Sequence, residues 1–222
     1  MNTPSTRSRL REDEHQYYQH ATGFRAALLD HLSSLPFHAF ELVIRDLLIA
    51  MGYQDVTLLG RLAWRGRRPR PGAELTAASQ IGLSRSAILV QVKQYRRPVA
   101  RSFVEQLRGT ILSTGARDGL LISTSRFSPA ARLAAAGEPG AALVPIRLLD
   151  GDELLSLLCF HRIGVWTEAV PATGSFPWGI DLDYFAKVTR AASVSRHERT
   201  SRASRSCTIP VLEQQPAGKE VG

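Results

Sequence analysis

The chain has 222 residues, 44% of them apolar, enough for one domain with appendages and a real core. No apolar run approaches the roughly 18 residues of a membrane span, and the opening MNTPSTRSRLREDEHQYY lacks the apolar stretch of a secretory signal. The net charge of +8 is concentrated: between Arg61 and Arg108 eleven Lys and Arg face two acids, a local +9 that leaves −1 for the rest.

In chain order, residues 12–35 predict a helix, with Phe24, Ala27, Leu28, His31 and Leu32 at helical spacing and Pro36 as its break. A second helix is expected from Phe37 to Met51, with Phe40, Val43, Ile44, Leu47 and Leu48 as its stripe and Gly52 as its stop. Gln54–Leu62 reads as a strand, and residues 63–71 as an Arg-, Gly- and Pro-rich loop. A short strand from Glu74 to Ser79, a turn near Gly82 and a central strand from Ser86 to Lys93 follow. A helix from Val99 to Ser113 and a strand at Leu120–Ser123 come next. Then come a helix opened by Ser128-Pro129, a strand at 142–148 and a helix at 151–160 capped by Asp150 or Asp152. This alternation predicts an α/β domain with at least one parallel strand pair. Beyond Ile163 the pattern weakens, and roughly the last thirty residues, rich in Ser, Arg, Gly and Pro, read as a disordered tail.

A concentrated basic region points to a polyanion, most simply DNA. Within it, Arg61, Arg65, Arg67 and Arg68 surround Trp64, and Arg96 and Arg97 follow the central strand; these six arginines are the candidate DNA contacts. Cys159 and Cys207 make neither a metal spacing nor a disulfide framework, so a reducing cytoplasmic setting is expected. The histidines show no ligand spacing, and His15, His20, His31 and His38 are expected on helix surfaces. Ser123, Thr124 and Ser125 are expected to cap a turn.

The central strand, ILVQVKQYRR, raises a chemical question. Gln91 and Lys93 are two apart and share one face, while Val90 and Val92 take the other. A hairpin of the interval that separates them brings Glu74 beside Gln91, and Glu41 lies at the edge of the second helix's apolar stripe. Hard divalent cations such as Mg²⁺, with Mn²⁺ as a substitute, take carboxylate and carbonyl oxygens. Glu74, the Gln91 amide oxygen and the Val92 carbonyl are the candidate metal ligands. Lys93 is suited to orienting water or holding charge on a phosphate, with Glu41 acting through water. Glu41, Glu74, Gln91 and Lys93 are thus the candidate catalytic residues for phosphodiester hydrolysis.

The chain resembles the Mrr-like restriction endonucleases of the PD-(D/E)XK superfamily. The resemblance runs over about residues 36–160, in five ordered pieces: FHAFELVIRDLLIAMGYQDV, GAELTA, VQVKQYRRPV, VEQLRGTILSTGARDGLLISTSRFSPAARLAA and IRLLDGDELLSLL. It implies a central mixed sheet flanked by helices, and a metal-dependent endonuclease that restricts foreign DNA. It matches Glu41 to the helix glutamate, Glu74 to the metal-binding acid, and Gln91 and Lys93 to the Gln-X-Lys form of the catalytic pair. One departure is Glu74, where the family has Asp; the extra methylene moves the carboxylate by roughly 1.5 Å. A second is the RLAWRGRRPRPG insertion. Glu74 motivates the rival reading, a DNA-binding module on a nuclease scaffold that has lost catalysis; a third is an interaction protein whose arginine loop holds an acidic partner. The expected organisation is an N-terminal helical extension (1–35), an endonuclease domain (36–162) and a C-terminal extension with a largely disordered tail (163–222). Two active sites are needed to cut both strands, which makes a homodimer the natural assembly.

Overall fold

The protein is described here by a computed structural model, which describes residues 22–59, 73–81, 84–137, 144–167 and 178–205, with side chains to residue 194 in the last segment. Helix α1 covers 22–34, followed by α2 (Phe37–Ala50), β1 (Gln54–Leu58), β2 (Leu75–Ile81) and β3 (Ser84–Lys93). Then come α3 (Arg101–Thr114), β4 (Asp118–Ser123), α4 (Pro129–Ala136), β5 (Ile146–Leu149) and α5 (Gly151–His161). The described chain closes with β6 (Val165–Thr167), β7 (Trp178–Ile180) and α6 (Leu182–Arg205).

The main sheet has the order β1-β2-β3-β4-β5. The β1–β2 and β2–β3 pairs are antiparallel, while β3–β4 and β4–β5 are parallel, each joined through a helix. The central position of β3 explains its composition. Strands covered on both faces read as continuous apolar runs, and Ile88 to Val92 are all buried. Ile88, Val90 and Val92 join Phe40, Val43, Ile44 and Leu47 of α2 and Leu154, Leu155 and Leu158 of α5 in the larger core. Leu89 turns the other way, to a second core with Val104, Leu107 and Ile111 of α3 and Ala131 of α4.

The helices begin and end where the local chemistry dictates. Helix α3 stops at Gly115, whose φ of 76° is left-handed. The Ser128 side chain accepts from Ala131 N at the start of α4, with Pro129 in the first turn. Of the two expected caps for α5, Asp150 is the one used: it forms a reciprocal capping box with Glu153. Gly151 is required there, since a Cβ would lie 2.6 Å from the Thr124 carbonyl oxygen.

The ends of the chain differ from the expectation of extensions outside the domain. Leu28 and Leu32 of α1 and Phe185, Val188 and Ala192 of α6 are buried in the same core as α2. The Ser- and Arg-rich stretch is helical as far as Arg205; its first turns carry apolar residues at helical spacing, and tertiary burial outweighs the polar composition. The Tyr184 hydroxyl, donating to Asp46 Oδ2 at 3.0 Å, ties α6 to α2. His31 is not a surface residue: its ring packs edge-on against Phe185 at 4.5 Å, and its Nε2 is buried.

Candidate active site

The polar face of β3 continues the face of Leu89. Helix α3 runs back along β3 after the chain reverses, so it meets the strand in reverse order. Lys93 Nζ lies 4.9 Å above the Phe103 ring, a cation–π contact. One helical turn on, Gln106 Oε1 accepts a hydrogen bond from Gln91 Nε2 at 3.2 Å. Gln91 is 0% exposed, and its other amide atom, Oε1, is buried with no hydrogen-bond partner. A buried amide oxygen left unpaired costs about 1–3 kcal/mol.

Glu74 sits immediately before β2. Its amide donates to Val90 O at 2.9 Å and its carbonyl accepts from Leu59 N at 2.7 Å. The registered pairing of β2 with β3 begins at the next residue, Leu75↔Val90. Its carboxylate is divided: Oε2 accepts from Val92 N at 2.8 Å, and Oε1 is 3.6 Å from Lys93 Nζ. Burial pushes the carboxyl above its ordinary pKa, and this outweighs the Lys93 charge and the Val92 hydrogen bond that lower it; the Glu41 charge adds a further upward push. Val92 thus meets Glu74 through its N–H.

Glu41 approaches from α2, on the opposite face of the sheet, near enough for its charge to act on Glu74. Its Oε2 is 2.6 Å from His38 Nδ1, and both side chains are largely buried, at 14% and 18% exposure. Arg45, four residues beyond Glu41 on the same helix, bonds Asp46. His38 was missed as a site residue and expected on the surface, although its i,i+3 spacing from Glu41 was visible. Gln106 and Phe103 were also missed, because only the packing of α3 on β3 reveals them.

Arg96 and Arg97 are exposed on the segment leaving β3, and Arg96 forms an exposed pair with Asp30 at 3.1 Å. Arg61, Arg65, Arg67 and Arg68 lie outside the described residues. Ser123, Thr124 and Ser125 serve the turn, as expected: Thr124 Oγ1 donates to Tyr95 O and Ser125 Oγ to Arg97 O. They fix the chain just past Lys93.

Among the described residues no cluster of three or more His, Cys, Asp and Glu side chains gathers. The oxygen set is instead two carboxylates and the unpaired Gln91 amide oxygen. This suits a hard cation that keeps waters and takes the rest of its shell from substrate phosphate. The residues present therefore fit such an ion.

A five-stranded sheet, antiparallel from β1 to β3, parallel from β3 to β5 and flanked by helices, is the PD-(D/E)XK restriction-endonuclease-like fold. A family model described as Mrr_cat, restriction endonuclease, matches residues 32–158, and the chain belongs to that family. Over 161 residues it is 27% identical to the type IV methyl-directed restriction enzyme EcoKMrr of Escherichia coli (strain K12), covering 71% of this chain and 48% of that protein. The chain thus spans about half the length of the curated relative it matches. Among solved structures, the DNA modification-dependent restriction endonuclease AspBHI aligns with a TM-score of 0.52 at 18% identity, over 76% of this chain and 40% of that one. MspJI, solved in complex with a 27-mer oligonucleotide, aligns at 0.45 and 20% identity, over 60% of this chain and 31% of that one. Among the described residues no helix is long and apolar enough to cross a membrane.

Proposed function

We propose that the chain is a divalent-metal-dependent DNA endonuclease, hydrolysing phosphodiester bonds in the restriction of foreign DNA. The observation that carries this reading is the Glu74 carboxylate 3.6 Å from the Lys93 ammonium, on the strand that also carries the buried, unpaired Gln91 amide oxygen. Glu74 and Gln91 would hold Mg²⁺ or Mn²⁺, which supplies Lewis-acid polarisation of the phosphate and lowers the pKa of a bound water. Lys93, steadied over Phe103, donates hydrogen bonds to that water or to the non-bridging phosphate oxygens and balances the charge that develops there. His38 holds the carboxylate of Glu41, which accepts from water at the edge of the site. Arg96 and Arg97 bind the backbone of DNA beyond the scissile bond.

The matched segment 32–158 is the catalytic unit, and α1 and α6 brace it from one side. A cytoplasmic site of action accords with the substrate and with Cys159 as a free thiol. Cutting both strands calls for two such centres, so the working form on this reading is a homodimer, which sizing in solution would reveal.

Plasmid cleavage with Mg²⁺, Mn²⁺ or EDTA, beside Lys93→Ala, tests the reading. Metal-dependent cleavage that disappears in the variant is the expected result; cleavage that survives the substitution would overturn it. One observation favours the rival reading of an inactive DNA-binding scaffold: both Glu74 oxygens already face partners, Val92 N and Lys93 Nζ. That reading predicts salt-sensitive DNA binding with no metal response and no cleavage.

A further inference from the structure

We infer that Gln106, on α3, is a positioning residue that selects the orientation of the Gln91 amide, turning its oxygen rather than its nitrogen toward the reacting centre. The inference rests on the metal-site reading above. A glutamine amide has two nearly isosteric ends with opposite chemistry: the oxygen accepts a hydrogen bond or binds a cation, and the NH₂ only donates. Gln91 is fully buried, so solvent plays no part in choosing between them. Its Nε2 is committed to Gln106 Oε1 at 3.2 Å, and its Oε1 has no hydrogen-bond partner. Whichever end faces α3, the opposite end faces away from it. An acceptor at position 106 leaves the Gln91 oxygen available to the centre; a donor there would draw the oxygen toward the helix and present an NH₂ to the cation, which repels it.

Gln106 is well placed for this task. It lies one turn beyond Phe103, which supports Lys93, so a single face of α3 orders both members of the Gln-X-Lys pair. It is exposed, so its own NH₂ is solvated and its oxygen is free to accept. The helix is fixed on its other side by Val104, Leu107 and Ile111 in the second core. Groups that orient metal ligands typically change metal affinity by about 10–100-fold when removed.

The test uses the full chain without DNA, with Mn²⁺ titrated calorimetrically into wild type, Gln106→Glu, Gln106→Met, Gln106→Lys and Gln91→Ala. Working at about 1 M salt, where the Debye length is about 3 Å, suppresses the effect of the charges introduced. Gln106→Glu offers only acceptors and is expected to keep wild-type affinity. Gln106→Met removes the acceptor and Gln106→Lys offers only donors; both are expected to weaken Mn²⁺ binding by about 10-fold or more. Gln106→Glu should melt at the wild-type temperature, and Gln106→Met, which leaves the buried Gln91 Nε2 without its partner, below it, so affinities are compared at matched folded fraction. Equal affinities for the Glu, Met and Lys variants, with Gln91→Ala still weakened, would overturn the role of Gln106 and leave the metal site standing. Unchanged affinity in Gln91→Ala would instead overturn the metal-site reading itself, and this inference with it.

Discussion

The two faces of β3 are made from one run of residues and do opposite work. Ile88, Val90 and Val92 look toward α2 and α5 and join the apolar side chains of the larger core. Leu89, Gln91 and Lys93 look toward α3, and along that face the packing changes from a closed core to a centre with an unpaired oxygen and two opposed charges. The comparison separates stability from function along a single strand: one face holds the sheet down, and the other uses the rigidity so gained to keep charged groups in a half-buried site.

The largest effect that would break this division is on chemistry. Lys93→Ala should lower cleavage by about 10²–10³-fold or more, as for the loss of one preorganised electrostatic donor, with DNA binding largely retained in a gel-shift assay. A mutant that instead loses its fold, seen as a lost cooperative melt, would show that Lys93 belongs to the structural face.

Next comes stability. Ile122 is fully buried in the larger core, on the strand beside β3. Ile122→Ala should cost about 2–5 kcal/mol of unfolding free energy, measurable by urea titration, while the folded fraction keeps its metal affinity. A changed metal affinity at matched folded fraction would mean that the two faces are coupled.

Glu74 sharpens the comparison, because burial of its carboxylate beside Lys93 comes at a cost to the fold. Burial raises its folded pKa above the unfolded value, so the native state binds its proton more tightly. The stabilising contribution is complete below the unfolded pKa and is lost as pH rises through the raised folded one. Glu74→Gln, permanently neutral, should therefore melt above wild type at neutral pH, with the gap closing as pH falls through the window just above the ordinary carboxyl range. It should also lose metal binding. A lower melting point at neutral pH would show that the Lys93 pairing outweighs the burial.

The smallest effect belongs to neither face. Arg96 and Asp30 form an exposed pair, worth about 0–1 kcal/mol. Arg96→Ala should leave the melt unchanged and reduce the salt dependence of DNA binding by about one phosphate contact; an unchanged salt slope would remove Arg96 from the DNA contacts.

Much of this was legible in the residues. The spacing of Phe40, Val43, Ile44 and Leu47 gave α2, and Ser128-Pro129 gave the start of α4, because helix periodicity and capping are local. The alternation in β3 placed Gln91 and Lys93 on one face before any partner was known. The strands β6 and β7, three residues each, were missed, since so short a stretch carries no usable period. The helical fate of residues 193–205 was missed because the composition there is that of a tail. His38, Phe103 and Gln106 were missed for a different reason: their significance depends on what lies opposite them.

The sequence by itself determined the order of elements from α1 to α5, the central strand and the four candidate residues Glu41, Glu74, Gln91 and Lys93, since each follows from spacing, patterning or family motif. Only the tertiary structure decided that the Val92 N–H donates to the Glu74 carboxylate. Only it showed that His38 pairs with Glu41 and that one end of the Gln91 amide is tied to α3 while the other is unpaired. The physical reason is that hydrogen bonds and desolvation act over a few ångströms of space, and residues 15 and 18 positions apart, as Gln91 and Gln106 or Glu74 and Val92 are, reach that range only once the sheet and its helices have packed.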